Sequence, residues 1–248
     1  LSRDVLRVAT YNVHRCRGLD GRVRPERIAE VLWELKADVI ALQEVLSRLG
    51  GPPQADQARF LACSLGYHYA RGATRAHRGA IYGNVVLSRF PIVHVRHYDL
   101  SVAWRERRAC LRADLELGGR RRLHVFNVHL GTAWLERRRQ VRKLVSEAVL
   151  RSRELRAPRL LLGDLNEWTR GLVSRLLERE LRGRGPLRFH ARAGSYPSLF
   201  PLLRLDRIYH DPELAPERYW LHRSRTALLA SDHLPVVAEF RLNGHGCA

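Results

Sequence analysis

The chain's 248 residues are enough for one large domain or two small ones, and a hydrophobic content of 45% allows a sizeable core and argues against wholesale disorder. Forty-four Lys and Arg against 25 Asp and Glu leave a net charge of +19, and every basic residue except Lys36 and Lys143 is arginine, a field that favours polyanions such as nucleic acid, anionic lipid surfaces or phosphate esters. No run approaches the ~18 apolar residues of a membrane span, and Cys16, Cys63, Cys110 and Cys247 show neither C-x-x-C pairing nor zinc-ligand spacing to histidine.

In chain order, Val5 to Val13 (VLRVATYNV) alternates and is β-branched, which predicts a strand. A helix follows in RPERIAEVLWELKA, with Ile28, Val31, Leu32 and Leu35 at helical spacing and Pro25 near its start. DVIALQE reads as a short buried strand that ends on Glu44, residues 47–56 as a Gly/Pro-rich loop, and DQARFLACSLG as a helix closed by Gly66. GNVVLSRFPIVHVRHYDL predicts two strands around the Arg89-Phe90-Pro91 turn, and Arg108 to Leu130 a hairpin across Gly118-Gly119. Ala133 to Leu155 predicts one long amphipathic helix. Leu160, Leu161 and Leu162 begin a buried strand, a further helix is expected from about Gly171 to Leu181, and the tail alternates loop and strand through RLDRIYH and DHLPVVAEFRL.

Strands outnumber helices, several pair as hairpins, and no linker divides the chain. The pattern suits an α+β domain over residues 1–248, two mainly antiparallel sheets packed face to face with helices outside. One internal echo, VATYNVH (Val8 to His14) beside LHVFNVH (Leu123 to His129), is too short to count as a repeat. The cysteines read as free thiols and the cytoplasm is the default location. A chain that starts at Leu1 and has no methionine leaves room for a removed leader. A monomer is expected.

Residues 101–160 hold 16 basic and 6 acidic residues, a local net of +10, including the clusters Arg105 to Arg108, Arg120 to Arg122 and Arg137 to Arg139. Such clusters either neutralise phosphates or simply solvate a surface.

The strands share a habit of ending, or beginning, on polar side chains: Asn12, Glu44, Asn127 with His129, Asp164 with Asn166, Asp206, and Asp232 with His233. Residues i and i+2 of an extended chain face the same way, so Asp164 and Asn166 can address one atom. Taken singly, each is also an ordinary turn former, cap or core histidine. Taken together, oxygen donors suit a hard cation such as Mg²⁺ or Mn²⁺, and histidines without cysteine partners suit proton transfer and stabilisation of anionic oxygen. That combination describes metal-assisted hydrolysis of a phosphate ester by water.

TYNVH, LQE, GNVVLSRFPI, NVHLG, GDLN, RLDRIY and SDHLPV, in this order from Thr10 to Val236, resemble the endonuclease/exonuclease/phosphatase superfamily, which includes DNase I-like nucleases, sphingomyelinases and inositol polyphosphate phosphatases. The resemblance implies a four-layer α/β/β/α sandwich with the site at one end of both sheets. It implies that Glu44 binds the metal with Asn12 beside it, and that Asp232 completes the site as a second ligand. Asp164 is then expected to orient or deprotonate water, Asn166 to hold the scissile phosphate or the metal, and His129 to donate to a phosphoryl oxygen. His233, paired with Asp206, is expected to stabilise charge or move a proton. Between Glu44 and Leu130 there is no counterpart of the extra glutamate that supports the histidine equivalent to His129 in DNase I-like members, and neither the membrane-inserting aromatic hairpin of some sphingomyelinases nor the inositol phosphatase signatures around the fourth and fifth motifs find a match.

A Mg²⁺-dependent nuclease is the first functional expectation. It rests on the basic segment and on Trp168, Tyr196 and Phe200, where an aromatic can stack on a base. Arg15 and Asn84 join them as substrate-binding candidates. The alternative is a phosphodiesterase or phosphatase acting on a phospholipid headgroup or a small ester, for which the same positive field serves an anionic membrane surface.

Overall fold

A computed structural model describes residues 5–77, 79–118, 121–181 and 194–242. Among them, β1 (Val5–Asn12), β2 (Val39–Ser47), β3 (His68–His77), β4 (Ala80–Ser88), β10 (Leu214–Leu221) and β11 (Val236–Leu242) make one sheet in the order β10-β11-β1-β2-β4-β3. The second sheet runs β5-β6-β7-β8-β9, from β5 (Ile92–Asp99), β6 (Ala109–Gly118), β7 (Arg121–His129), β8 (Arg159–Asp164) and β9 (Asp206–His210). Only β1 with β2 and β7 with β8 are parallel; the other pairings are antiparallel.

Alternation in the strands builds three apolar layers. Val8, Ala41, Val86, Ala113, Val125 and Leu162 meet between the sheets. Their strand neighbours Ala9, Ile40 and Leu42 face α1 (Pro25–Leu35), α2 (Gln57–Leu65) and α5 (Arg225–Ala230). Phe126, Val128 and Leu161 face α3 (Trp134–Leu144) and α4 (Leu172–Glu180). The result is the four-layer α/β/β/α sandwich.

Some elements differ from expectation. The helix predicted to reach Leu155 ends at Leu144. Ser146 Oγ donates to the Lys143 carbonyl oxygen (2.7 Å), a side-chain bond that competes with the helical ladder, and Val145, Val149 and Leu150 continue into the core from turns. Strand β2 does not stop at Glu44 but continues to Ser47 beyond an irregular pairing between Leu42 and Val45. Strands β3 and β10 and helix α5 carried no prediction. Gly119 of the expected hairpin turn and Cys247 lie outside the described residues; Cys16, Cys63 and Cys110 are free thiols.

The two parallel pairs position the site. Asn12 lies level with Gln43 across β1 and β2, and His129 with Asp164 across β7 and β8. The antiparallel partners bring the starts of β6, β9 and β11 to the same end, through Cys110 with Val128, Asp206 with Asp164 and Val236 with Thr10.

Candidate active site

The close approach of β8 to β7 depends on Gly163. Its φ of 147° is one that side-chain-bearing residues rarely adopt, and a Cβ there would overlap the Val128 carbonyl oxygen. The next residue, Asp164, is buried. Its Oδ1 accepts from the Asn166 backbone N–H (2.9 Å) and its Oδ2 from Asn12 Nδ2 (3.1 Å). Leu165 packs into the core between Asp164 and Asn166, but β8 ends at Asp164 and Asn166 is left-handed, so the two do not share a face by the strand alternation on which the i, i+2 expectation rests. Asn166 has φ 50°, and its amide donates to the Leu130 carbonyl oxygen (2.9 Å), which ties the loop after β8 to the loop after β7.

Asn12 joins the two sheets. Its Nδ2 lies 3.1 Å from both Glu44 Oε1 and Asp164 Oδ2, while its Oδ1 accepts from the His14 backbone N–H at 3.1 Å. That backbone donor fixes the amide orientation: a flipped Asn12 would set N–H against N–H. As placed, Asn12 presents hydrogens to two carboxylates rather than an oxygen to a cation. Glu44 sits at φ 59°, a strained conformation where β2 departs from regular pairing. Burial opposes its ionisation, but His129, the Asn12 amide, His14 and a hydrogen bond from Tyr82 outweigh it and hold the carboxyl below its ordinary range.

The two histidines are driven apart electrostatically. His129 Nε2 lies 3.6 Å from Asp164 Oδ2, yet burial, reinforced by the Arg108 charge, outweighs the nearby carboxylates and pushes its pKa down to about 4. His233 Nδ1 bonds Asp206 Oδ2 (2.7 Å) and its Nε2 lies 3.8 Å from Asp164 Oδ2. Burial disfavours its charge, but Asp206, and then Asp164 and Asp232, overcome it and raise the pKa to about 10. One imidazole is therefore neutral and the other charged at neutral pH, the separation that distinguishes a base from an acid in one cleft.

Asp206 Oδ2 also accepts from Ser195 Oγ (2.6 Å), while its buried Oδ1 has no partner. Asp164, Asp206 and His233 offer ligand atoms within 4.8 Å of one another. Asp232 is placed differently from Asp206. It is partly exposed, with Oδ1 3.3 Å from Ser231 Oγ and 3.6 Å from His14 Nδ1. Tyr196 packs its ring 4.9 Å from the His233 ring, tilted by 48°. Arg15, half-buried at φ 58°, contacts His14 Nε2 through its guanidinium (2.9 Å). Trp168 and Phe200 are exposed at the rim.

Asn84 is not brought to the cleft surface. It is buried, and its amide nitrogen donates to the Ala109 and Asn127 carbonyl oxygens (3.0 and 3.2 Å), because its position on β4 faces the second sheet. It belongs with Asn127 and Gln43 in an amide network that bonds sheet to sheet: Asn127 Nδ2 donates to Leu42 and Val85 carbonyls, and Gln43 Nε2 to Asn127 Oδ1 (2.8 Å). The basic cluster at Arg137 to Arg139 is also not one surface, since Arg137 is buried and donates to the Gly131 and Thr132 carbonyl oxygens.

Several residues of the cleft escaped sequence reasoning. His14, Tyr82, Arg108, Ser195, Ser231 and Glu167 lie in or directly behind it. Ser231 Oγ donates to the Asn12 carbonyl oxygen (2.7 Å). Glu167 accepts from the backbone N–H groups of Val173 and Ser174 (2.9 and 3.0 Å) and pairs with Arg207 (3.1 Å), so it caps α4 and anchors the GDLN loop. His14 had a signal in the NVH echo, and Glu167 in its adjacency to GDLN; the others become neighbours only through the fold.

A model of the Endonuclease/Exonuclease/phosphatase family matches residues 9–233. The chain is 31% identical over 254 residues to "Uncharacterized protein YbhP" of Escherichia coli K12, covering 95% of this chain and 96% of that protein. Among solved structures, an endonuclease/exonuclease/phosphatase from Beutenbergia cavernae superposes with a TM-score of 0.79 at 27% identity, covering 99% of this chain and 74% of that one. A mannosyl-6-phosphatase from Bacteroides thetaiotaomicron superposes with a TM-score of 0.76 at 19% identity, covering 95% and 99%, a likeness of fold. With the family model spanning nearly the whole chain, this protein belongs to the endonuclease/exonuclease/phosphatase family.

Proposed function

We propose that the protein is a Mg²⁺-dependent hydrolase of phosphodiesters, a single domain over residues 1–248 in which water attacks phosphorus in line with the leaving alcohol. The observation that carries this reading is the convergence of two carboxylates, the half-buried Glu44 and the buried Asp164, on one amide nitrogen of Asn12, with a neutral and a charged histidine beside them.

A hard cation fits this donor set. Glu44 and Asp164 concentrate negative charge, Asp206 adds an unpartnered buried oxygen, and Asp232 borders the cleft. Glu44 would be the principal ligand, with Asp232 as a further oxygen donor. When bound, Mg²⁺ supplies charge neutralisation at the phosphoryl oxygens.

The chain's own groups do the rest. Asp164, held by Asn12 and the Asn166 backbone N–H, orients a water and accepts its proton as the new P–O bond forms. Neutral His129 donates its N–H to a phosphoryl oxygen. His233, whose charge is maintained by Asp206, protonates the leaving alkoxide as the ester P–O bond breaks. Asn166 positions the phosphate.

The nuclease form of this reading rests on the basic segment, and its support is thinner than the count of arginines suggests. Arg108, Arg112 and Arg137 point inward. A lipid or small-ester substrate is the second reading, favoured by the apolar rim described below. A panel of plasmid DNA, RNA, sphingomyelin, phosphatidylglycerol and bis-p-nitrophenyl phosphate with Mg²⁺, run for wild type and Glu44→Gln, tests the proposal. Turnover of at least one diester, lost in Glu44→Gln, supports it; turnover of none under these conditions contradicts it.

A further inference from the structure

The loops that leave the site end of the two sheets carry apolar side chains into solvent. Trp104 lies between β5 and β6, Trp134 and Leu135 in the first turn of α3, Trp168 after β8, and Phe200 and Leu202 before β9. Among the described residues, six large apolar side chains are more than 60% exposed, and five of them belong to this rim: Trp104 at 101%, Leu202 at 80%, Phe200 at 74%, Trp168 at 67% and Leu135 at 64%, with Trp33 at 61% the exception. They come from four segments separated in sequence, so no single loop conformation accounts for them. A ring of this kind around a polar cleft is unusual for a surface that meets only water.

Exposed arginines accompany them: Arg105 and Arg107 beside Trp104, Arg139 one turn after Leu135 on α3, and Arg17 in the segment after β1. The acidic side chain among them, Glu106, is occupied by Arg108 (2.9 Å). Arg138 packs its guanidinium 5.5 Å from the Trp134 ring centroid, the pairing of a cation with an amphipathic aromatic that suits a headgroup layer.

The geometry points to an anionic phospholipid surface as the partner of this rim, with the hydrolysed phosphodiester belonging to a lipid held in that surface. The inference rests on the hydrolase reading above and names its substrate class. The rim's composition selects lipid over nucleic acid. Aromatic rings and arginines serve either partner, but Leu135 and Leu202 gain nothing from base stacking or phosphate contact, while both gain by leaving water for the acyl boundary. The arginines provide attraction to anionic headgroups. A lipid's phosphodiester lies at headgroup depth, so a cleft ringed by shallowly inserting side chains meets it without extracting the lipid. No helix among the described residues is long and apolar enough to cross a membrane, so the rim would attach from one side.

Flotation with phosphatidylglycerol/phosphatidylcholine vesicles in EDTA, where hydrolysis is suppressed, tests the surface apart from the chemistry. The wild type is expected to float with vesicles containing phosphatidylglycerol and much less with phosphatidylcholine alone. Trp104→Ser/Leu202→Ser is expected to bind about tenfold more weakly, the scale of losing partial burial of two large apolar side chains. Its Mg²⁺-dependent turnover of bis-p-nitrophenyl phosphate should be unchanged and its turnover of vesicle lipid reduced in parallel with binding. Arg105→Ser/Arg107→Ser should lose the preference for anionic vesicles. Absence of flotation, equal flotation of wild type and Trp104→Ser/Leu202→Ser, or duplex DNA binding that falls with the same apolar substitutions would overturn the inference while leaving the hydrolase reading intact. Flotation without turnover of any ester would instead remove the hydrolase reading and the lipid substrate with it.

Discussion

Asp164 is held before any substrate arrives, by the Asn166 backbone N–H, by Asn12 Nδ2 and by two histidines at 3.6 and 3.8 Å. Asp164→Asn preserves size and removes the charge proposed to orient water. His233→Ala removes the charged imidazole. Each is expected to lower kcat by at least ~10² with folding retained, measured by steady-state kinetics beside circular dichroism. Asp206→Asn should be milder, because it acts through His233. The histidines also set how stability of the metal-free protein responds to pH. His233, raised to about 10 in the fold from an ordinary value of 6.5, contributes stability that is complete below about 6.5 and lost as pH rises through about 10. His129, lowered to about 4 from the same ordinary value, contributes stability present above about 6.5 and lost as pH falls through about 4. For these two groups, the optimum in EDTA should lie near pH 6.5, and His233→Gln should flatten the alkaline limb of a urea-unfolding series. At this scale the convergence of Asp164, Glu44, His129, Asp206 and His233 at one end of the sheets was legible, because polar residues at strand ends interrupt an apolar pattern. The geometry of Asn12 was not, since amide orientation depends on a backbone N–H two residues on and on two carboxylates from distant strands.

Among the elements, β8 is the most constrained at the site. Gly163→Ala would set a methyl against the Val128 carbonyl oxygen and impose a φ unfavourable to alanine, so β7 and β8 must separate. A loss of about 2–4 kcal/mol in urea unfolding is expected, with activity falling further as His129 and Asp164 move apart. Helix α3 yields a contrasting prediction. Arg137→Gln should lower stability, on the order of 1–3 kcal/mol, by freeing the Gly131 and Thr132 carbonyls, and leave the salt dependence of binding to any polyanion unchanged. The NVH echo proves to mark equivalent strands. Both β1 and β7 pair antiparallel on one side and parallel on the other, with Asn12 at the cleft and Asn127 in the sheet-to-sheet network. Apolar periodicity identified α1, α2 and α4 and most core strands. It overextended α3 because Val145, Val149 and Leu150 keep a helical rhythm while packing from turns. It missed β3, whose HYARGATRAH sequence is polar at an exposed edge, and β10, where Pro216 coincides with an irregular pairing.

For the whole molecule, a sandwich with one polar end and a net charge of +19 concentrates its chemistry where the sheets meet. The charge alone is a weak guide to substrate, since some arginines of the basic segment hold the interior together, as Arg112 does with Asp114 (2.6 Å) and Arg137 does with backbone carbonyls. The fold was legible because the strand-end motifs occur in family order along the chain, whereas the exposed apolar rim became visible only once four separate loops were seen to share one end. The central claim is that this cleft hydrolyses phosphodiesters with a divalent cation and Asp164. The most direct measurement is turnover of bis-p-nitrophenyl phosphate by wild type and Asp164→Asn, first in EDTA after exhaustive dialysis and then with Mg²⁺ restored. Wild-type activity should be absent in chelator and return with Mg²⁺, and Asp164→Asn should be at least ~10² lower once Mg²⁺ is restored; full wild-type activity in EDTA, or near-native turnover by Asp164→Asn, would contradict the account.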